Sequence, residues 1–464
     1  MTRRTLLIAA YLAIAIAILA ARPPETPGPI ARDFEAFWSA GAAYNAHVDP
    51  YSASIWRFER TVPGVDARRE GALPFIDPPP TLPAWSLAAR TPYATAAAIW
   101  MLVLVGALVG FVIVSLRGAA TSLRATNLLA ALALAVAFGP ITSDMALGQL
   151  ALPAAFGAVA LVVWARRSVL IATLGGVLAF AQPNIVPGLI SQLGRNRATA
   201  AITAAAALTY LLGAAVAGWN WPAAYARAGA AHGAVERFSA IQLTPAAIAY
   251  GFGAPPNAAV FVAIVSAVAA VAAALLIGLR IRDGFARFAA WSVLAPFATL
   301  FWHEHDLLVA FPAAVWCARN AGARARTLAL AGTMLVAIDW LGLAQRPGGL
   351  AQSALLAAAA WCAFAALCEG VGSSLRVAGI AVGALFAGAA VLALAHPAPV
   401  WPAAMQAFSA PVHATVAQIW LAQQRATGLY QPVASWAVLR ALSLLGCALL
   451  AVAIYRHSSY CRTA

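Results

Sequence analysis

Asp33 stands in the stretch ARDFEAFWSAGAAYNAHVDPY, residues 31–51, just beyond the first hydrophobic run of the chain. Eight of the fifteen acidic residues fall between Glu25 and Asp77, the longest polar segment of an otherwise apolar sequence. Carboxylates gathered beside a membrane helix place one of them to act at the membrane surface. Asp33, at the lipid–water boundary, is suited to take a proton from an attacking hydroxyl. It is also suited to cap the short helix FEAFWSAGAAY, because Asp is favoured at N-caps. Glu35 is read as facing water. Asp77, which opens Asp-Pro-Pro-Pro, is a second carboxylate for the same site.

A second constellation is Trp302-His303-Glu304-His305-Asp306. Four ionisable side chains in a row at membrane depth are costly in lipid and mark a polar cavity. His303 and His305 are two residues apart, which does not suit one helix face but is natural at a helix break. The run lacks the i, i+4 histidine pair of HExxH and a third ligand, so no metal is expected. The histidines suit hydrogen bonding to an anion or to the base, or else form a satisfied polar cluster at a turn. Arg440, part-way into the last apolar run, either pairs with a lipid phosphate or snorkels to the interface.

These side chains need membrane helices to position them. The chain is 63% hydrophobic and 9% charged, with mean hydropathy +0.82, far outside the soluble range. Apolar runs of about 18 or more residues recur from end to end, each able to cross a ~30 Å hydrocarbon core. The expectation is one all-α polytopic domain, residues 1–464, with about 10–14 membrane helices including short and re-entrant ones. The net charge of +14 comes from 29 Arg and no Lys, mostly in short loops. It is a positive-inside signal, and no nucleic acid is expected. The five Cys have no metal-like spacing and read as small buried hydrophobes.

Residues 1–21 resemble a cleavable signal peptide but are read as a retained first helix with its Arg3-Arg4 end inside. Residues 22–93 then form a first external loop with amphipathic helices and the candidate base, 219–257 a second external loop, and 396–432 a third. Between Arg166-Arg167 and Arg195 lie only 27 residues, too few for two crossings. Two half-helices turning at Gln182-Pro183-Asn184 satisfy both Arg pairs being inside. A second short hairpin from Arg287 to Arg319 carries His303 and His305 at its tip. There is no phosphate-binding loop and no pair of repeats with matching broken helices, as a secondary transporter often shows.

Asp33, then Phe37-Trp38-x-Ala40-Gly41, Pro50-Tyr51, Phe75-x-x-Pro78-Pro79 and Trp100 together resemble glycosyltransferase family 87. LGQLALPAA (147–155) and LFWHEHDLLVAFP (300–312) resemble it more loosely. Asp77 stands where the family often has Tyr, and Gln182 where it often has Lys. The resemblance implies a GT-C fold and a hexosyltransferase, with mannose the expected sugar. The enzyme would move it from a polyprenyl-phosphate donor to a glycolipid or glycan acceptor outside the cytoplasmic membrane. It implies Asp33 as general base and no cofactor beyond the lipid-linked co-substrate. His305, His303 and Arg440 would bind the donor phosphate, Asp77 would line the substrate site, and Trp38, Trp85, Trp100 and Trp302 would stack on sugar or isoprenoid or simply pack. The alternative is a lipid or solute transporter or flippase, for which Asp33 would matter little.

Overall fold

The computed structural model describes residues 1–21, 28–369, 372–402, 407–411 and 413–460. Glu25, Cys461, the start of the first loop and parts of segment 396–432 lie outside the described residues. Among the described residues every regular element is helical. The first is α1 (Arg3–Leu19), then in the first loop α2 (Phe34–Asn45) and α3 (Leu82–Ala88), and then the long α4 (Tyr93–Gly118). α5 (Ala125–Val136) and α6 (Gly139–Leu147) follow, then the shorter apolar α7 (Ala151–Trp164) and α8 (Val169–Phe180), and α9 (Asn196–Ala217). α10 (Trp221–Glu236) precedes α11 (Pro256–Arg280), and α12 (Gly284–Leu294) and α13 (Phe311–Asn320) are the arms of a hairpin. The chain closes with α14 (Ala323–Ala337), α15 (Leu350–Leu367), α16 (Ser373–Ala395), α17 (Val416–Thr427) and α18 (Ala434–Tyr460).

Six of these, α4, α9, α11, α15, α16 and α18, are long and apolar enough to cross a bilayer, and the pair α5–α6 makes a seventh, bent by 66°. The bend falls where Gly139-Pro140 interrupts the run, as proline dictates. The chain is an all-α multi-pass membrane protein. The expected 10–14 helices are reached only when α1, α7 and α8 are counted with the full-length ones, and the hairpin arms α12 and α13 bring the count among the described residues to twelve. Large apolar side chains point outward along α1, α4 and α11, among them Ile8, Leu12, Leu102, Val103, Phe261 and Val268. Apolar surface of this extent is tolerated where lipid replaces water. Inward, small residues let backbones touch. A Cβ on Gly157 would stand 2.4 Å from the Gly175 carbonyl oxygen, and one on Gly332 2.7 Å from that of Gly446. Such crossings replace the hydrophobic drive that lipid removes.

Both short hairpins return to the face they left. Arg197 Nη1 donates to the Arg166 carbonyl at 2.5 Å, closing the ends of the segment that holds α8. Its returning limb is not the second half-helix expected from the sequence. It is two brief turns, Pro183–Ile185 and Pro187–Ile190, because each proline removes a helix donor. In the other hairpin Asp283 caps α12 through Oδ1 (2.8 Å to Phe285 N) while its Oδ2 accepts from Trp316 Nε1 of α13 at 3.2 Å.

The Arg-bearing helix ends share one face, tied by Arg3 to Asn127 and by Arg319 to Glu369 at 2.7 Å. At the opposite ends of α4 and α18, the segments 28–92 and 219–257 and the described parts of 396–432 pack on one another as a single cap. Gly71 N donates to Gln423 Oε1 (2.8 Å), Tyr225 Oη to the Ile76 carbonyl (2.9 Å) and Ala240 N to that of Leu429 (2.7 Å).

Candidate functional site

Asp33 is held from both sides. Its N–H donates to the Leu147 carbonyl at 2.9 Å, and its Oδ2 accepts from Gln149 Nε2 at 2.5 Å. The docking is made possible by Gly148, which ends α6 with φ +75°. A Cβ there would come within 2.7 Å of the Ala31 Cβ, so only glycine serves both the left-handed turn and the close approach. Asp33 precedes α2 as the sequence suggested, but its side chain makes no capping hydrogen bond. Capping therefore does not account for it. The carboxyl is half-buried. Burial raises its proton affinity above the ordinary carboxylate range, opposed by the Gln149 hydrogen bond and the His303 charge.

The Phe-Trp-x-Ala-Gly motif does packing. Phe37 stacks on Trp85 with centroids 4.9 Å apart, and Phe34 stacks on Trp100 at 6.0 Å. A Cβ on Gly41 would lie 2.0 Å from the Trp85 carbonyl oxygen, so Gly41 sets the contact of α2 with α3. Trp38 donates from Nε1 to the Thr91 carbonyl at 3.1 Å and lies edge-on to Tyr93. That places Trp38 in the aromatic support of Asp33.

The histidine run lies at the tip of the α12–α13 hairpin, beside the cap. His303 Nε2 is 3.1 Å from Glu236 Oε1 and 2.9 Å from Gln242 Nε2, and its N–H donates to Asp306 Oδ2 at 3.0 Å. Asp306 in turn accepts from Asn184 Nδ2 (3.0 Å) and Gln182 Nε2 (3.4 Å), so the tips of the two hairpins meet. His305 is buried, with Nε2 4.0 Å from Asp306 Oδ1. Burial pushes its imidazole down to about 4, so the ring is neutral at physiological pH. In His303 burial also opposes the charged ring, but the Glu236 carboxylate outweighs it and the proton affinity rises. Asp33 and His303 are close enough for their charges to bear on each other. Asp33, His303 and His305 thus belong to one polar centre, with Gln149, Asp144 and Asp306.

Ligand atoms of His303, His305 and Asp306 lie within 4.8 Å of one another. As a metal site the fit is poor, because His303 Nε2 lies against Glu236 and Gln242, and both Asp306 oxygens already accept side-chain amide hydrogens.

One expectation needs correction. Arg440 does not present its guanidinium to the centre. Nε donates to the Trp436 carbonyl (3.2 Å), Nη1 to those of Ser239 (3.2 Å) and Gln242 (3.1 Å), and Nη2 to that of Ala247 (3.3 Å). A guanidinium so occupied is a clamp on the chain around Gln242, and neither phosphate binding nor snorkelling describes it. Asp77 is buried in the cap, with Oδ2 unpartnered and its carbonyl accepting from Tyr51 Oη at 2.7 Å.

Burial pushes the Asp77 carboxyl up to about 8. A carboxyl whose proton affinity is raised on folding leaves stability intact below pH ~4 and costs it progressively as pH rises toward 8. Asp77→Asn should therefore stabilise the protein by on the order of 4 kcal/mol at pH 7 and by little at pH 4. Thermal unfolding of both proteins across that range checks it, and a pH-independent difference would remove the titration from the account.

The sequence reading missed Gln149, Gln242, Asp306 as a hub, and Glu236. Glu236 was legible in part, since His232 and Glu236 are i, i+4 on one helix and pair at 2.7 Å.

Residues 75–302 match the family model of glycosyltransferase family 87. No curated protein and no solved structure matches the chain. The matched stretch includes Gln149, Gln182, Glu236 and Gln242, while Asp33, His303 and Arg440 lie outside it. Multi-pass helical architecture and this match agree: residues 75–302 carry the pattern of glycosyltransferase family 87, and the protein is a membrane glycosyltransferase.

Proposed function

We propose that the protein transfers a hexose, mannose by family resemblance, from a polyprenyl-phosphate donor to a hydroxyl of a glycolipid or glycan acceptor. The observation that supports this best is the state of Asp33. Its carboxyl is half-buried, uncapped, steered by Gln149, and close to His303. The acceptor oxygen bonds to the anomeric carbon, the bond from that carbon to the phosphate oxygen breaks, and the hydroxyl proton goes to Asp33. An Asp whose proton affinity is raised toward neutrality is a better base for this than an exposed one. The electron pair leaves with polyprenyl phosphate, whose charge a histidine cation can meet in place of a metal. A single displacement inverts the anomeric centre. Transfer from a panel of radiolabelled polyprenyl-phosphate sugars by purified protein, with Asp33→Asn beside it, tests the reading.

The cap would face outside and the arginine face the cytosol. Reporters fused after residues 60, 235 and 415 should then read external, and those after 120, 284 and 322 cytosolic. A cytosolic signal at residue 60 would put Asp33 on the wrong side for a donor presented at the outer face.

A further inference from the structure

A lipid phosphate leaving group needs a cation, and two arginines of the cap and its neighbouring helix, Arg440 and Arg32, are engaged elsewhere. Arg440 is clamped by carbonyls. Arg32 donates to Glu70 at 2.8 Å and lies over Trp401. Within the centre itself stands a histidine pair joined by Glu236. This carboxylate is 1% exposed and sits between two rings, with Oε2 2.7 Å from His232 Nε2 and Oε1 3.1 Å from His303 Nε2. Gln424 Nε2 also donates to Oε1, at 3.2 Å.

We propose that Glu236 is a positioning residue that keeps His303 a cation aimed at the departing phosphate, with His232 anchoring Glu236 from behind. This deepens the donor reading above and rests on it.

Two contacts make opposite demands on His303 Nε2. A carboxylate can only accept, so Glu236 requires a proton on that nitrogen. The Gln242 amide nitrogen, fixed because its Oε1 accepts from Trp302 N at 2.7 Å, faces the same ring nitrogen and favours a bare lone pair. Hydrogen bonds to charged groups contribute about 1.5–3 kcal/mol and neutral ones about 0.5–1.5. Glu236 therefore prevails. The carboxylate itself is disfavoured by burial but held ionised, well below the usual range, by His303 and His232.

The other charged or titratable groups facing His303 are Asp33 from the start of α2, and Asp306 and His305 from its own segment. The second hairpin tip offers only the neutral Gln182 and Asn184. His232 also lines a cavity of about 210 Å³ with Tyr51, Phe75 and Tyr225, which gives the outer end of the bridge space of its own.

The test is the pH dependence of kcat and of donor KM for the full-length protein with a polyprenyl-phosphate hexose, in unaltered protein, Glu236→Gln, Glu236→Asp and His232→Gln. Glu236→Gln keeps the shape and removes the charge. Its alkaline limb should move down by about one pH unit, a tenfold rate loss on the alkaline side, and recover toward the unaltered rate near pH 6. Glu236→Asp should restore part of the limb. His232→Gln keeps an N–H for Glu236 and removes a ring that shares its carboxylate with His303, so its limb should stay or move up. An unmoved limb in Glu236→Gln, a loss equal at every pH, or a downward shift in His232→Gln would overturn the proposal. If Glu236→Gln fails to fold, Glu236→Asp and His232→Gln still decide by the direction of their limbs. Transfer by the unaltered protein that Asp33→Asn abolishes, with no limb shift, removes this inference alone. Absence of transfer from any polyprenyl-phosphate sugar removes both.

Discussion

Asp33→Asn is expected to lower transfer by about 10²–10⁴-fold, the usual contribution of a general base, with stability and donor binding close to those of the unaltered protein. Asn is nearly isosteric and can still accept the Gln149 amide hydrogen, so the local docking on Leu147 and Gly148 survives. What it cannot do is take a proton. The capping explanation would have predicted near-normal activity, because Asn ranks with Asp at an N-cap. That escape is closed by the absence of any capping bond from this side chain. Asp33→Glu tests geometry instead of charge: the longer chain would push the carboxylate into Gln149, now 2.5 Å away, and only a trace of activity should remain. Measured on preparations of matched thermal stability, near-normal transfer by Asp33→Asn would sink the base assignment.

The helices were legible because lipid imposes long apolar runs, and arginine pairs fixed which ends shared a face. The bend at Gly139-Pro140 and the return at Gln182-Pro183-Asn184 followed from proline and from the count of residues between Arg167 and Arg195. What periodicity could not show was how the limb after Pro183 would end, since two prolines four residues apart leave only short turns. Asp33 and His303 were legible by residue type. Their supports were not. Gln149 reads as one polar residue in an apolar run, and only the docking of Ala31 on Gly148 brings it to Asp33. Trp38 was legible as an aromatic beside the candidate base, but its anchor on the Thr91 carbonyl was not. Arg440 is the instructive error. A lone charge in a membrane helix suggests a ligand, yet main-chain carbonyls can satisfy it as completely as a phosphate would.

Arg440→Ala should therefore act on stability first. The guanidinium is 2% exposed, and the carbonyls of Ser239, Gln242 and Ala247 depend on it. Each buried acceptor left without a donor costs about 1–3 kcal/mol. Relief from burying a charge offsets part of that total, which leaves a net loss of roughly 3 kcal/mol or more. Arg440→Lys should recover little, since one ammonium cannot reach carbonyls spread over residues 239–247. Gly251→Ala should produce a milder version of the same defect, because the added Cβ would stand 2.7 Å from Arg440 Nη2. Any catalytic effect would travel through Gln242, whose side chain bonds Trp302 N and abuts His303. It should lower kcat and leave the donor KM of the folded fraction nearly unchanged. Unfolding midpoints in lipid nanodiscs, paired with donor kinetics, separate the cases. A normally stable Arg440→Ala protein with a donor KM raised tenfold would return this arginine to the phosphate and remove it from the clamp.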